Sequence, residues 1–197
     1  MRAAIVLNSN NIANIEEDYI IAADAGYAHV LAQGKKPNVV IGDFDSSSMP
    51  KDLNVIKLQV EKDDTDGQAA IDYAKQNNID EIVIYGLTGG RLDHELCNLS
   101  LLAKAYSLNI KASAKEPDVE VFYAEAGKVM INAKVGATVS IIAFGDGVTI
   151  TNGKGLKYPI NDLSISKYDL GRSISNVALE ETQSFEVVKG SCFIFKY

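Results

Sequence analysis

The stretch Val39–Ser48, VVIGDFDSSS, decides how the first half of this chain folds. An apolar run of β-branched residues stops at Gly42 and gives way to two carboxylates, Asp43 and Asp45. A run that is apolar without alternation belongs to a strand covered on both faces, as in a parallel sheet. In extended backbone, residues two apart point the same way, so both acids face one small volume at the strand's end. Like charges about 4 Å apart repel by about 4 kcal/mol at an effective dielectric near 20, so a counter-charge is required there.

Working outward, the same grammar repeats. AAIVL, YIIAAD, NVVIGD, NVIKLQ and EIVIYG are short apolar runs separated by helical patterns. AGYAHVLAQG closes on Gly34, with Pro37 beyond, as a helix end should. TDGQAAIDYAKQNN opens on Thr65 as a helix cap, and LDHELCNLSLLAKAYSL is the longest helical pattern. Strands alternating with helices predict an α/β unit with a mostly parallel sheet flanked by helices over residues 1–115. From residue 118 the texture changes to β-branched residues cut at short intervals by Gly, Asn and Asp. This predicts an all-β sandwich over 118–197, with SFEVVKGSCFIFKY as a hairpin turning at Lys189–Gly190.

Composition sets the outer bounds. The 197 residues are 47% hydrophobic and 23% charged, as in an ordinary globular chain. Nineteen basic against 26 acidic residues leave a net charge of −7, which argues against nonspecific nucleic-acid binding. Cys97 and Cys192 form no CxxC pair, and a reduced protein is the simpler expectation. The apolar run Ala3–Leu7 is too short for a signal sequence or a membrane span, so the expected location is the cytoplasm, without membrane attachment.

In an open parallel sheet, ligands bind beyond the carboxyl ends of the strands. Asp24 follows one run, Asp43 and Asp45 the next, KDDTD (Lys62–Asp66) another, and GLTGGRLDH (Gly86–His94) the last. Singly, each has a plainer explanation as a turn former, a helix start or backbone punctuation. Those explanations do not place all four on one rim. Hard oxygen donors without a Cys or His cluster suit Mg²⁺ shared with substrate phosphates. Arg91 and Lys62 are natural phosphate partners, and Gly89 and Gly90 allow close backbone approach. Neither a P-loop nor a GxGxxG pattern is present. His29 and Cys97 read as packing residues, and Tyr27, Tyr73, Tyr85 and Tyr106 as core or surface aromatics.

ADAG (Ala23–Gly26), GDFDS (Gly42–Ser46), DDTD (Asp63–Asp66) and GGRLDH (Gly89–His94) together resemble, in order and spacing, the motifs of bacterial thiamine pyrophosphokinases. TNGKGLKYPI and LGRSISN extend the resemblance towards the C-terminus. The resemblance implies transfer of the diphosphate of ATP to thiamine, giving thiamine diphosphate and AMP. It also implies Mg²⁺ and a homodimer with active sites between subunits. By motif position, Asp43, Asp45 and Asp66 are the expected metal ligands and, with Arg91, the catalytic set. Asp24, Asp63, Thr65, Gly89, Gly90, Arg91, Asp93 and His94 would surround ATP, and Ser175 with Asn176 would contact thiamine. Two positions depart from the family pattern: Ala25 replaces a glycine, and Val177 stands where a glutamate is common. The same acidic rim would also serve a Mg²⁺-dependent phosphohydrolase, a phosphotransferase with another acceptor, or a non-catalytic sensor of nucleotide or thiamine.

Overall fold

A computed structural model of the chain describes residues 1–44, 50, 52–59, 64–168 and 171–197. The chain divides into two compact units, residues 1–117 and 118–197.

In the first unit the apolar runs become β1 (Arg2–Val6), β2 (Ile20–Ala23), β3 (Val39–Gly42), β4 (Val55–Lys57) and β5 (Glu81–Tyr85). A further strand, β6 (Lys111–Lys115), joins them. Its sequence KASAK lacks an apolar run, which is why the pattern leaves it unassigned. All are parallel, in the order β6-β5-β1-β2-β3-β4. One face of the sheet packs Ala4, Val6, Ile20, Ala22, Val40, Val83 and Tyr85 against Ala13, Ile15 and Val30. The intervening residues Ala3, Ile5, Ile21, Ile41, Ile82 and Ile84 are also buried and turn to the opposite face. Two-sided cover explains the unbroken apolar runs, and each buried isoleucine contributes about 1.5–3 kcal/mol.

Three helices complete this unit. α1 (Gly26–Ala32) ends with the Gly34 amide on the Leu31 carbonyl and the Lys35 amide on the Val30 carbonyl, a double-bonded C-terminal stop. α2 (Asp66–Gln76) starts with a reciprocal cap: Thr65 Oγ1 accepts the Gln68 amide, and Gln68 Oε1 accepts the Thr65 amide. α3 (Leu92–Ser107) lies against α2, burying Leu101, Leu102 and Ala105. Among the described residues, no helix is long and apolar enough to cross a membrane.

The second unit consists of β7 (Glu120–Ala124), β8 (Gly127–Asn132), β9 (Thr138–Lys154), β10 (Leu163–Ser166), β11 (Asn176–Val177) and β12 (Thr182–Lys196). Its pairings are antiparallel. The first half of β12 pairs with β8 and the second half with β7, while β9 runs beside both halves. Ile150, Phe185 and Val187 from one half share a single core with Val139, Ile141 and Ile194 from the other. The two long strands thus fold over on themselves to make both layers of the β domain.

The expected hairpin at Lys189–Gly190 is corrected here. Lys189 and Gly190 continue β12, paired with Thr149 and Val148, and the register slips on either side. Gly190 has φ of +77°, and a Cβ there would lie 1.9 Å from the Gly147 carbonyl oxygen. The glycine serves a bulge at the bend of a long strand, not a turn between two short ones.

Candidate active site

Because all six strands of the first unit run the same way, the connections that follow them emerge along one edge. β1 lies between β2 and β5, and the chain passes from one side of it to the other only after β4. This is the reversal point at which parallel sheets open a crevice. A cleft of about 670 Å³ occupies that edge. Leu7 and Asn8 enter it from β1, Asp24 from β2, Asp43 from β3, Asp64 to Gly67 from the start of α2, and Gly86 to Thr88 from β5.

Local backbone brings the acids together. Asp24 sits in the left-handed region at φ 45°, one of the few non-glycine types to do so readily, and its amide donates to the Ile41 carbonyl at 2.8 Å. Gly42 faces it: a Cβ on Gly42 would lie 3.1 Å from the Asp24 Cα. Absence of a side chain at Gly42 therefore lets the ends of β2 and β3 close up, with Asp24 and Asp43 both in the cleft. Ala25 has φ −65°, an ordinary value, so the missing family glycine costs the backbone nothing there.

The opposite wall is the start of α3, with Gly90, Arg91, Asp93, His94, Glu95, Cys97 and Asn98. Arg91 forms a two-point ion pair with Asp93, Nη2 to Oδ2 at 2.6 Å and Nε to Oδ1 at 3.1 Å. The guanidinium bonds hold the Asp93 carboxyl below its usual range. Glu95 Oε1 accepts the amides of Gly89 and Gly90 at 2.8 and 3.0 Å. The glycine pair is thus shaped by a carboxylate of its own helix.

The structure brings Asp24, Asp43, Thr65, Asp66, Gly90, Arg91, Asp93 and His94 to one cleft, with Gly89 beside it. Asp45 and Asp63, together with Lys62, lie outside the described residues. Among the described residues no group of three or more Asp, Glu, His or Cys side chains converges tightly enough to enclose a cation. The donors that reach the cleft, Asp24, Asp43, Asp64 and Asp66, are hard carboxylate oxygens, the chemistry that suits Mg²⁺. Cys97 corrects the packing expectation: it is exposed and lines the cleft, because the first turns of α3 stand proud, with Leu92 and Leu96 exposed as well.

In the second unit, Ser175 is exposed with φ +59°, and its amide donates to Ser140 Oγ at 2.9 Å. Asn176 is buried. Its Oδ1 accepts the Tyr158 amide at 2.9 Å and its Nδ2 donates to the Tyr158 carbonyl at 2.8 Å. Asn176 therefore clamps the GLKY segment, while the Tyr158 side chain stays exposed.

Sequence reasoning singled out neither Asn8, Asp64 nor Glu95. Asp64 lies inside the DDTD stretch and Glu95 directly follows GGRLDH, so both were open to view as carboxylates. Asn8 follows the first strand, whose carboxyl end belongs to the same edge.

A parallel sheet with an acid-lined cleft across the ends of its strands is an α/β fold built to hold a ligand at that edge. Residues 13–114 match the family model described as the thiamin pyrophosphokinase catalytic domain. Residues 128–192 match the thiamin pyrophosphokinase vitamin B1 binding domain. The thiamine pyrophosphokinase of Bacillus subtilis (strain 168) is 32% identical over 180 residues, covering 86% of this chain and 83% of the relative. The crystal structure of thiamine pyrophosphokinase from Bacillus subtilis superposes with a TM-score of 0.87 at 30% identity, over 100% of this chain and 98% of the other. That of the thiamin pyrophosphokinase from Geobacillus thermodenitrificans gives 0.83 at 26% identity, over 100% and 97%. The chain belongs to the thiamine pyrophosphokinase family, and is an enzyme, a transferase.

Proposed function

We propose that this chain transfers the diphosphate of ATP to the hydroxyl of thiamine, yielding thiamine diphosphate and AMP. The observation that carries this reading is the meeting of Asp24, Asp43 and Asp66, from three separate connections, with Arg91, Asp93 and His94 in one cleft. Phosphoryl transfer asks a protein chiefly for positioning and charge stabilisation, and this wall supplies both.

Asp43, Asp45 and Asp66 would hold Mg²⁺, with Asp24, Asp63 and Thr65 around the phosphates. When bound, the ion neutralises phosphate charge that an acidic rim would otherwise repel. The thiamine hydroxyl oxygen attacks the β-phosphorus and gives up its proton to solvent. The bond from that phosphorus to the α-bridging oxygen breaks with its electron pair staying on that oxygen, and AMP leaves. Arg91 exchanges its pairing with Asp93 for contact with phosphate oxygens as charge develops, and its planar fork suits that task. Asp93, His94, Gly89 and Gly90 bound the nucleotide side. Residues 1–115 form the ATP- and Mg²⁺-binding domain, and residues 118–197 the thiamine-binding and dimerisation domain of a homodimer. Ser175 meets thiamine directly, and Asn176 serves it by holding Tyr158.

Incubation with ATP, Mg²⁺ and thiamine tests the reading. AMP and thiamine diphosphate in equal amounts are expected, whereas ADP or free phosphate as the product would refute it.

A further inference from the structure

The loop from Gly86 to Gly90 forms part of the cleft wall, yet its polar backbone is held from behind by groups the reaction scheme does not use. Chief among them is Glu116, the residue after β6, which is 4% exposed and does not line the cleft. Its Oε1 accepts the amides of Gly86 at 3.1 Å and Leu87 at 2.7 Å, and its Oε2 accepts Thr88 Oγ1 at 2.9 Å. From the other side, the Ser9 hydroxyl donates to the Thr88 carbonyl and the Asn10 amide to the Gly89 carbonyl. Asn98 Nδ2 donates to the Leu87 carbonyl at 3.3 Å.

Burying a carboxylate is unfavourable unless it is well bonded. Here burial pushes the carboxyl up while the bonds from Thr88, Leu87 and Gly86 pull it back. A buried acid whose side-chain partners among the described residues all lie on one loop is a device for fixing that loop. We propose that Glu116 is a positioning residue for the nucleotide, setting Gly86–Thr88 so that this wall of the cleft is formed before substrate arrives. The inference rests on the reading of the cleft as the ATP site.

Two conservative variants test it. Glu116→Gln keeps the reach: Oε1 accepts both amides and Nε2 donates to Thr88 Oγ1. Glu116→Asp keeps the charge but withdraws it by one methylene. ATP affinity is measured by calorimetric titration with Mg²⁺, and KM and kcat by turnover with thiamine. The Asp variant should weaken ATP binding and raise KM for ATP by about 10- to 100-fold, with KM for thiamine unchanged. The Gln variant should stay close to wild type. Normal ATP binding in both, or a loss in the Gln variant as large as that in the Asp variant, overturns the proposal.

Should the Asp variant fail to fold, Ser9→Ala loosens the same loop from its other side and should also raise KM for ATP alone; an unchanged KM overturns the proposal. Amide exchange at Gly86–Thr88, faster in the Asp than in the Gln variant, reads the brace without reference to turnover. A wild-type chain that makes no AMP would therefore sink the functional reading separately.

Discussion

Arg91 and Asp93 grip one another through two parallel contacts, at 2.6 and 3.1 Å, across the first turn of α3. Both side chains are largely exposed, at 74% and 63%, so the pair adds little to stability and the arginine can change partners. Arg91→Ala should lower kcat by about 100-fold and leave the melting temperature unchanged. Arg91→Lys should recover only part of the rate, since an ammonium lacks the fork. Steady-state kinetics beside a thermal melt checks both; an unaffected kcat would remove Arg91 from the reaction.

Asp43 stands half-buried at the end of β3, inside the cleft. Asp43→Asn should reduce turnover by about 100-fold or more at saturating Mg²⁺, with an unchanged circular dichroism spectrum. Near-normal turnover would show that the rim works without this carboxylate.

Tyr85 is fully buried in the sheet, and its hydroxyl donates to Glu17 Oε2 at 2.8 Å, while Arg2 bonds the other oxygen. Tyr85→Phe would leave a buried carboxylate one donor short, at a cost of about 2 kcal/mol. The melting temperature should fall by about 4–8 °C for a chain of this size. KM values should not move, since neither residue lines the cleft.

Glu116 also predicts a pH dependence. Burial raises its carboxyl above the ordinary glutamate value, so the folded chain binds this proton more tightly than the unfolded chain does. Its contribution to stability is accordingly greatest below the ordinary value and falls as pH rises through the raised one. Glu116→Gln removes that dependence. The melting temperature of the variant minus that of wild type should therefore climb as pH rises across this window; a constant difference would contradict the assignment.

The sequence made the cleft legible wherever chemistry followed an apolar run. Asp24, Asp43 and Asp66 could be placed on one edge because parallel strands have a fixed polarity, and the helix starting after Thr65 announced itself by its cap. Four features were not legible, each for a physical reason. Gly190 looks like a turn because glycine serves turns and bulges alike, and only its approach to Gly147 tells them apart. β6 lacks the apolar run that marks its neighbours. Glu116 lies 28 to 30 positions from the loop it braces, and no local spacing could connect them. Cys97 was misread because helical periodicity gives a face but not what covers it.

The uniform strand direction in the first unit has a consequence for how the enzyme comes into being. No two neighbouring strands there can be joined by a tight reversal, and the hydroxyl link between Ser9 and Thr88 spans 79 positions. A nascent chain halted after α2 would already carry Asp24, Asp43 and Asp66, yet it would have no β5 to set beside β1. Ribosomal synthesis delivers the acids early and their enclosure late, because β5 and α3 are made after them.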